Sequence, residues 1–148
     1  MENHELVTIL IAEDDDGHAQ LIKERLEAAG VNNPQVRFRD GQEAWDYISR
    51  SGGAGRQPDK PYLLLLDIRM PGLDGIEVLR RIKGDPALKK LPVIMLTTTD
   101  DPREVDICYE LGCNSYLTKP VAFAQFSEVI RRLGLFLSVV RITNLDGN

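Results

Sequence analysis

The stretch Tyr62–Asp67, "YLLLLD", runs straight into "IRMPGLDG" at 68–75. Five apolar residues in a row followed by a carboxylate do not alternate as a half-solvated strand would. They read as a central parallel strand covered on both faces. The Pro-Gly and Asp-Gly pairs behind it mark a turn, and helical spacing resumes at Ile76, Val78, Leu79 and Ile82.

Working outward, the same rhythm recurs. "VTILIAE" from Val7 is a second buried strand, bounded by acids. After it Ala19, Leu21, Ile22, Leu26 and Ala29 fall near helical spacing, and Gly30 sits where a helix would stop. "QVRF" (Gln35 to Phe38) is a short strand. Asp40 has the character of an N-cap with Glu43 three residues on, for a helix carrying Ala44, Trp45, Tyr47 and Ile48. The Gly- and Pro-rich run from Ser49 to Pro61 is expected to be a long, flexible loop. The helix begun near Asp74 fades at Gly84-Asp85-Pro86, and "PVIMLT" (Pro92 to Thr97) is the fourth strand. Pro102 opens a fourth helix, "NSYLTKP" (Asn114 to Pro120) holds a short fifth strand, and a last helix fills roughly Ala122 to Val140. Trp45, Tyr47 and Tyr62 are read as packing residues rather than a ligand-stacking set.

Five strands alternating with five helices make an α/β, doubly wound parallel sheet with helices on both faces. Right-handed crossovers favour the flavodoxin-like order 2-1-3-4-5. The 148 residues suffice for a single domain with its own core. A net charge of −5 disfavours nucleic acid and anionic membranes and points to a protein partner. No run approaches the ~18 apolar residues of a membrane span, and Met1-Glu2-Asn3-His4-Glu5 lacks the basic start of a signal peptide, so a cytoplasmic protein is expected. Cys108 and Cys113 are expected to be packing residues. They and the distant His4 and His18 make no zinc pattern.

In such a sheet ligands sit beyond the carboxyl ends of the strands. There strand 1 ends in Glu13, Asp14, Asp15 and Asp16, strand 3 in Asp67 and strand 4 in Thr97, while strand 5 leads to Lys119. Taken singly, each has a plain reading: a capped turn, a strand threonine, a surface lysine. Their convergence on one rim does not. Crowded carboxylates raise one another's pKa, and a hard dication relieves the conflict. Mg²⁺ takes one or two carboxylates, waters and phosphate oxygens. Asp67 then becomes a candidate nucleophile for phosphoryl transfer, with Lys119 and Thr97 holding the transferred oxygens.

The segments "ILIAEDD" (9–15), "LLLLDIRMPGLDG" (63–75), "PVIMLTT" (92–98) and "YLTKP" (116–120) resemble, in that order, the receiver domain of two-component response regulators, the CheY-like fold. The resemblance covers nearly the whole chain. It implies a phospho-acceptor at Asp67, served by a histidine kinase, with no enzymatic activity beyond its own phosphorylation and dephosphorylation. It implies Mg²⁺ held by Glu13, Asp14, Asp67 and the backbone carbonyl of Arg69, with Asp14 the direct ligand and Glu13 acting largely through water. Thr97 and Thr98 would contact the phosphoryl group with Lys119, Tyr116 would follow Thr97 as the aromatic switch, and Lys119–Pro120 would be a cis peptide. Arg69 and Thr99 flank the acceptor where they could tune attack by water.

Two departures from the shortest receivers resemble the stand-alone regulators of bacterial and cyanobacterial phytochrome kinases, as do "RDGQEAWDYI" (39–48) and "IKGDPALKKLPVIMLTT" (82–98). One is the loop before strand 3. The other is a C-terminal extension, 134–148: from Leu133 just before it, Leu133, Leu135, Phe136, Leu137, Val139, Val140 and Ile142 are more apolar residues than one helix face can bury. That resemblance implies a phytochrome-type kinase as donor and a homodimer through the last helices. The same apolar residues could instead fold back on their own domain.

Three other readings compete. A haloacid-dehalogenase-type phosphatase would carry an acid two residues after its nucleophile, where this chain has Arg69. A flavodoxin-type FMN carrier would need a phosphate loop after strand 1, where Glu13 to Asp16 would repel it. A non-phosphorylated scaffold should have lost a site residue, and none is missing.

Overall fold

The structure is a computed structural model, and it describes residues 6–28, 30–98, 101–120 and 122–132. Among these, the chain alternates strictly: β1 (Thr8–Ala12), α1 (Asp16–Ala28), β2 (Gln35–Phe38), α2 (Gly41–Ser49), β3 (Tyr62–Asp67), α3 (Gly75–Lys83), β4 (Val93–Thr97), α4 (Pro102–Leu111), β5 (Ser115–Thr118) and α5 (Phe123–Arg132). All strands pair in parallel in the order β2-β1-β3-β4-β5, the arrangement expected from the sequence.

Why β3 is apolar up to Asp67 is now plain. Leu64 and Leu66 face a core shared with Leu10, Ala44, Ile48, Val78, Leu79, Ile82, Val93 and Met95, beneath α2 to α4. Leu63 and Leu65 face the opposite core with Ile9, Ile11, Ile22, Leu26, Ile94, Leu96 and Phe126, beneath α1 and α5. Burying each such side chain is worth roughly 1.5–3 kcal/mol, so the central strands anchor both layers. Cys108 and Cys113 are free, buried packing residues, and burial pushes their thiols up to about 11 and 12.

Local chemistry sets the element ends. Asp40 and Asp74 cap α2 and α3 by accepting from the backbone N–H groups of Glu43 and Glu77. Gly112 closes α4 in the left-handed conformation, which only a residue without Cβ adopts freely. At the turn after β3, a Cβ on Gly75 would lie 2.1 Å from the Asp67 carbonyl oxygen, so the Asp-Gly pair lets α3 start directly beneath the strand end.

Two expectations are corrected. Leu21, read as a core position of the first helix, is exposed, because the buried stripe of α1 is Ala19, Ile22 and Leu26. The loop before β3 is not free: Gln57 N–H donates to the Tyr62 hydroxyl (2.8 Å), Arg56 N–H to the Tyr47 carbonyl (3.0 Å) and Arg56 Nε to the Ile48 carbonyl (2.8 Å). Tyr47 in turn stacks at the edge of Tyr62 and against Phe38, so these aromatics pack as expected. Ala29, Thr99 and the apolar residues from Leu133 onward, including the 134–148 extension, lie outside the described residues.

Candidate functional site

The carboxyl ends of β1, β3, β4 and β5 meet at one rim because the parallel registers align them. Asp67 pairs with Leu96 in β4, and Thr97 with Thr118 in β5, one residue before Lys119. The backbone N–H of Lys119 donates to the Thr97 carbonyl (2.8 Å), which ties the lysine's strand end to the threonine's. The Lys119–Pro120 peptide is cis.

Glu13, Asp14 and Asp67 each offer a carboxylate oxygen, all within 4.8 Å of one another. Glu13 and Asp67 are buried and Asp14 is exposed. The Lys119 ammonium, itself nearly buried, forms a close ion pair with Glu13 Oε1 and lies 3.3 Å from Asp67 Oδ1. One ammonium against three carboxylates leaves an excess of negative charge out of water. Burial, and then repulsion from Glu13, push the Asp67 carboxyl up to about 6, against the pull of Lys119. An all-oxygen cluster with that excess fits a divalent metal ion, which would meet Asp14 at its open side.

The acidic run divides between two jobs. Asp15 belongs to the turn: its backbone N–H donates to Glu13 Oε2 (3.1 Å), and its side chain accepts from His18 N–H (2.8 Å) at the start of α1. That hydrogen bond, largest among several causes, holds its carboxyl below the usual range. Asp16 turns away to Arg37 and Arg39, at 2.7 and 2.9 Å, and is lowered chiefly by Arg37.

Thr97 is buried at the end of β4, while Thr98 is exposed on the rim. Tyr116 is half-buried against the α2–α4 core. Arg69, two residues past Asp67, carries its guanidinium outward to Glu104 on α4 (2.7 Å). That position, which a phosphatase of the dehalogenase type would fill with an acid, therefore holds a paired cation.

Two neighbours escaped the sequence reading. His18 Nδ1 lies 3.1 Å from the Lys119 ammonium, and Arg37 reaches the Glu13 backbone from β2. Neither residue ends a strand. Only the turn into α1 and the β1–β2 register bring them in. Beside the cluster, His18, Leu21, Ile22, Thr98, Lys119 and Pro120 line a largely apolar groove of about 170 Å³.

Residues 9–131 match the response regulator receiver domain family. The fold is similar to the bacteriophytochrome response regulator AtBRR, at TM-score 0.78 and 40% identity over 89% of this chain and 95% of that one. It is also similar to the phosphorylated cyanobacterial phytochrome response regulator RcpA, at TM-score 0.72 and 36% identity, covering 92% and 96%. Response regulator Rcp1 of Synechocystis sp. is 39% identical over 111 residues, 75% of each chain. A Mn²⁺-bound form of Rcp1 superposes at TM-score 0.67 with 32% identity, covering 88% and 94%.

Proposed function

We propose, for a chain that belongs to the response regulator receiver domain family, that Asp67 accepts a phosphoryl group from a histidine kinase in a Mg²⁺-dependent reaction. The observation that carries this reading is the meeting of Glu13, Asp14, Asp67 and Lys119 at one rim. An Asp67 carboxylate oxygen attacks phosphorus in line. The new O–P bond replaces the donor's N–P bond, and the departing imidazole takes a proton from water. Asp14, Asp67 and the Arg69 carbonyl would hold Mg²⁺, with Glu13 acting largely through water, and the ion would supply charge neutralisation for the phosphoryl oxygens. Lys119 supplies a fixed positive charge to the same oxygens, and Thr97 and Thr98 supply hydrogen bonds.

The signal is a population shift. The phosphoryl dianion makes contacts with Thr97 and Lys119 in one conformation only, and Tyr116 follows Thr97. The donor's helices would enter along the groove by Leu21 and Pro120, where exposed apolar surface adjoins the acceptor. The likeness to AtBRR and RcpA supports a phytochrome-type kinase as the donor. The apolar run Leu133, Phe136, Leu137 and Val140 supports a homodimer through the last helices. The net charge of −5 supports a protein that engages other proteins rather than nucleic acid or membrane. Among the described residues, no helix is long and apolar enough to cross a membrane.

The test is intact mass after incubation with Mg²⁺ and acetyl phosphate. One phosphoryl group should be added to the native chain and none to Asp67→Asn or to an EDTA-treated sample. An unlabelled native chain, or a labelled Asn variant, would refute the assignment. Light scattering of the same samples measures the dimer.

A further inference from the structure

The acid pair has an anchor outside the reacting cluster. Arg37 lies on the edge strand β2, in register with Ile11 of β1, two residues before Glu13. Its Nε and Nη2 both donate to the Glu13 carbonyl, at 3.0 and 2.7 Å, and its Nη1 reaches Asp16 Oδ1 at 2.7 Å. The Glu13 N–H meanwhile donates to the Phe38 carbonyl (3.1 Å). Both backbone polar groups of Glu13 are therefore taken by β2.

The Glu13 carbonyl and the Asp14 N–H share one planar peptide. Fixing that carbonyl sets the plane from which the Glu13 and Asp14 side chains leave in different directions. We propose that Arg37 is a positioning residue for the metal site: its guanidinium fork clamps the Glu13 carbonyl, and so holds the acid pair in the geometry a divalent cation needs. The inference rests on the reading of Glu13, Asp14 and Asp67 as the metal ligands.

The bland alternative is a surface ion pair with Asp16. Asp16 is 74% exposed, and pairs of that kind contribute little. The Arg37 side chain is only 25% exposed, and two of its three contacts go to the carbonyl. A planar, permanently charged fork can make all three contacts together, and an ammonium cannot. The fork also sets a positive charge behind four consecutive acids, Glu13 to Asp16, where their repulsion would otherwise open the turn.

The test is calorimetric titration of the full chain with Mn²⁺ and with Mg²⁺, for the native protein, Arg37→Ala, Arg37→Lys and Asp16→Ala. Arg37→Ala should bind metal about tenfold or more weakly, the loss typical when support behind metal ligands is removed. Arg37→Lys should recover part of that affinity, and Asp16→Ala should stay close to native. In acetyl phosphate labelling, Arg37→Ala should need more Mg²⁺ for half-maximal rate and regain the native rate at saturating Mg²⁺. Thermal melts identify any variant that fails to fold, in which case Arg37→Lys and Arg37→Gln carry the comparison. Native affinity in the folded Arg37 variants overturns the inference. So does an equal loss in Asp16→Ala, which would route the effect through the helix start. A native chain that binds neither ion fails the metal reading itself and is distinguishable from both.

Discussion

The two ends of the sheet are built from the same strands and treat polar groups in opposite ways. At the amino ends of β3 and β4, the flanking loops are closed by neutral or well-spaced contacts. Tyr62 receives the Gln57 N–H, Arg56 caps Ile48, and Lys83 donates to the carbonyls of Lys89 and Leu91. At the carboxyl ends, three carboxylates crowd together, and the two of them out of water, Glu13 and Asp67, share one ammonium. The first arrangement is satisfied as it stands. The second holds more negative charge than Lys119 offsets, and that excess sets one rim apart as chemical and leaves the other a support.

The largest way to sharpen the contrast uses glycine. A Cβ on Gly75 would sit 2.1 Å from the Asp67 carbonyl oxygen, so Gly75→Ala must move backbone at the acceptor. It should cost on the order of 3 kcal/mol in denaturant unfolding and slow acetyl phosphate labelling sharply. Gly52, in the loop before β3, has φ of +80° and open space around it. Gly52→Ala should cost only ~1 kcal/mol of backbone strain and leave labelling unchanged. Equal costs at the two ends would erase the distinction.

Next in size is the charge deficit. Burial and Glu13 raise the Asp67 carboxyl from 3.8 to about 6 in the folded, metal-free chain. A raised carboxyl pKa favours folding while the proton is on. The benefit is complete below about pH 4 and is lost as pH rises through about 6. Above that, ionised Asp67 costs about 2–3 kcal/mol. In EDTA at pH 7.5, Asp67→Asn should therefore be more stable than the native chain by about that amount, and the advantage should vanish near pH 4. Mg²⁺ should raise the native melting point and move the Asn variant far less. An Asn variant no more stable than native at pH 7.5 would mean the rim is not in conflict.

How much of this was legible before any coordinates follows from the same contrast. Asp67, Thr97 and the acids after β1 were readable because a parallel sheet sends every strand's carboxyl end to one side, so apolar runs and their last polar residues suffice. The division of Glu13 to Asp16 was implied by the family resemblance but not readable from the residues themselves. It depends on how the chain turns into α1, where the Asp15 N–H finds Glu13 and the His18 N–H finds Asp15. Arg37 stayed hidden because its contact with Glu13 spans 24 residues and depends on strand register. Leu21 misled because helical spacing tolerates one residue beside the buried stripe. The loop before β3 misled because Gly and Pro report backbone freedom, while its order comes from Tyr62, a partner its own composition does not reveal.

That loop supplies the smallest and most selective test. The Tyr62 hydroxyl accepts from Gln57 N–H at 2.8 Å and lies 3.5 Å from the Tyr47 hydroxyl. Burial and Tyr62 together push the Tyr47 phenol up to about 12, so the Tyr47 ring stays neutral through the working range. Tyr62→Phe keeps the ring packing and removes one acceptor. It should cost about 1 kcal/mol, the net worth of a neutral hydrogen bond. Amide exchange at Gln57 should rise well above native, while Mg²⁺ affinity and labelling at Asp67 stay put. If instead labelling fell with the hydroxyl, the two ends of the sheet would be coupled through β3, and the support would have to be counted as part of the site.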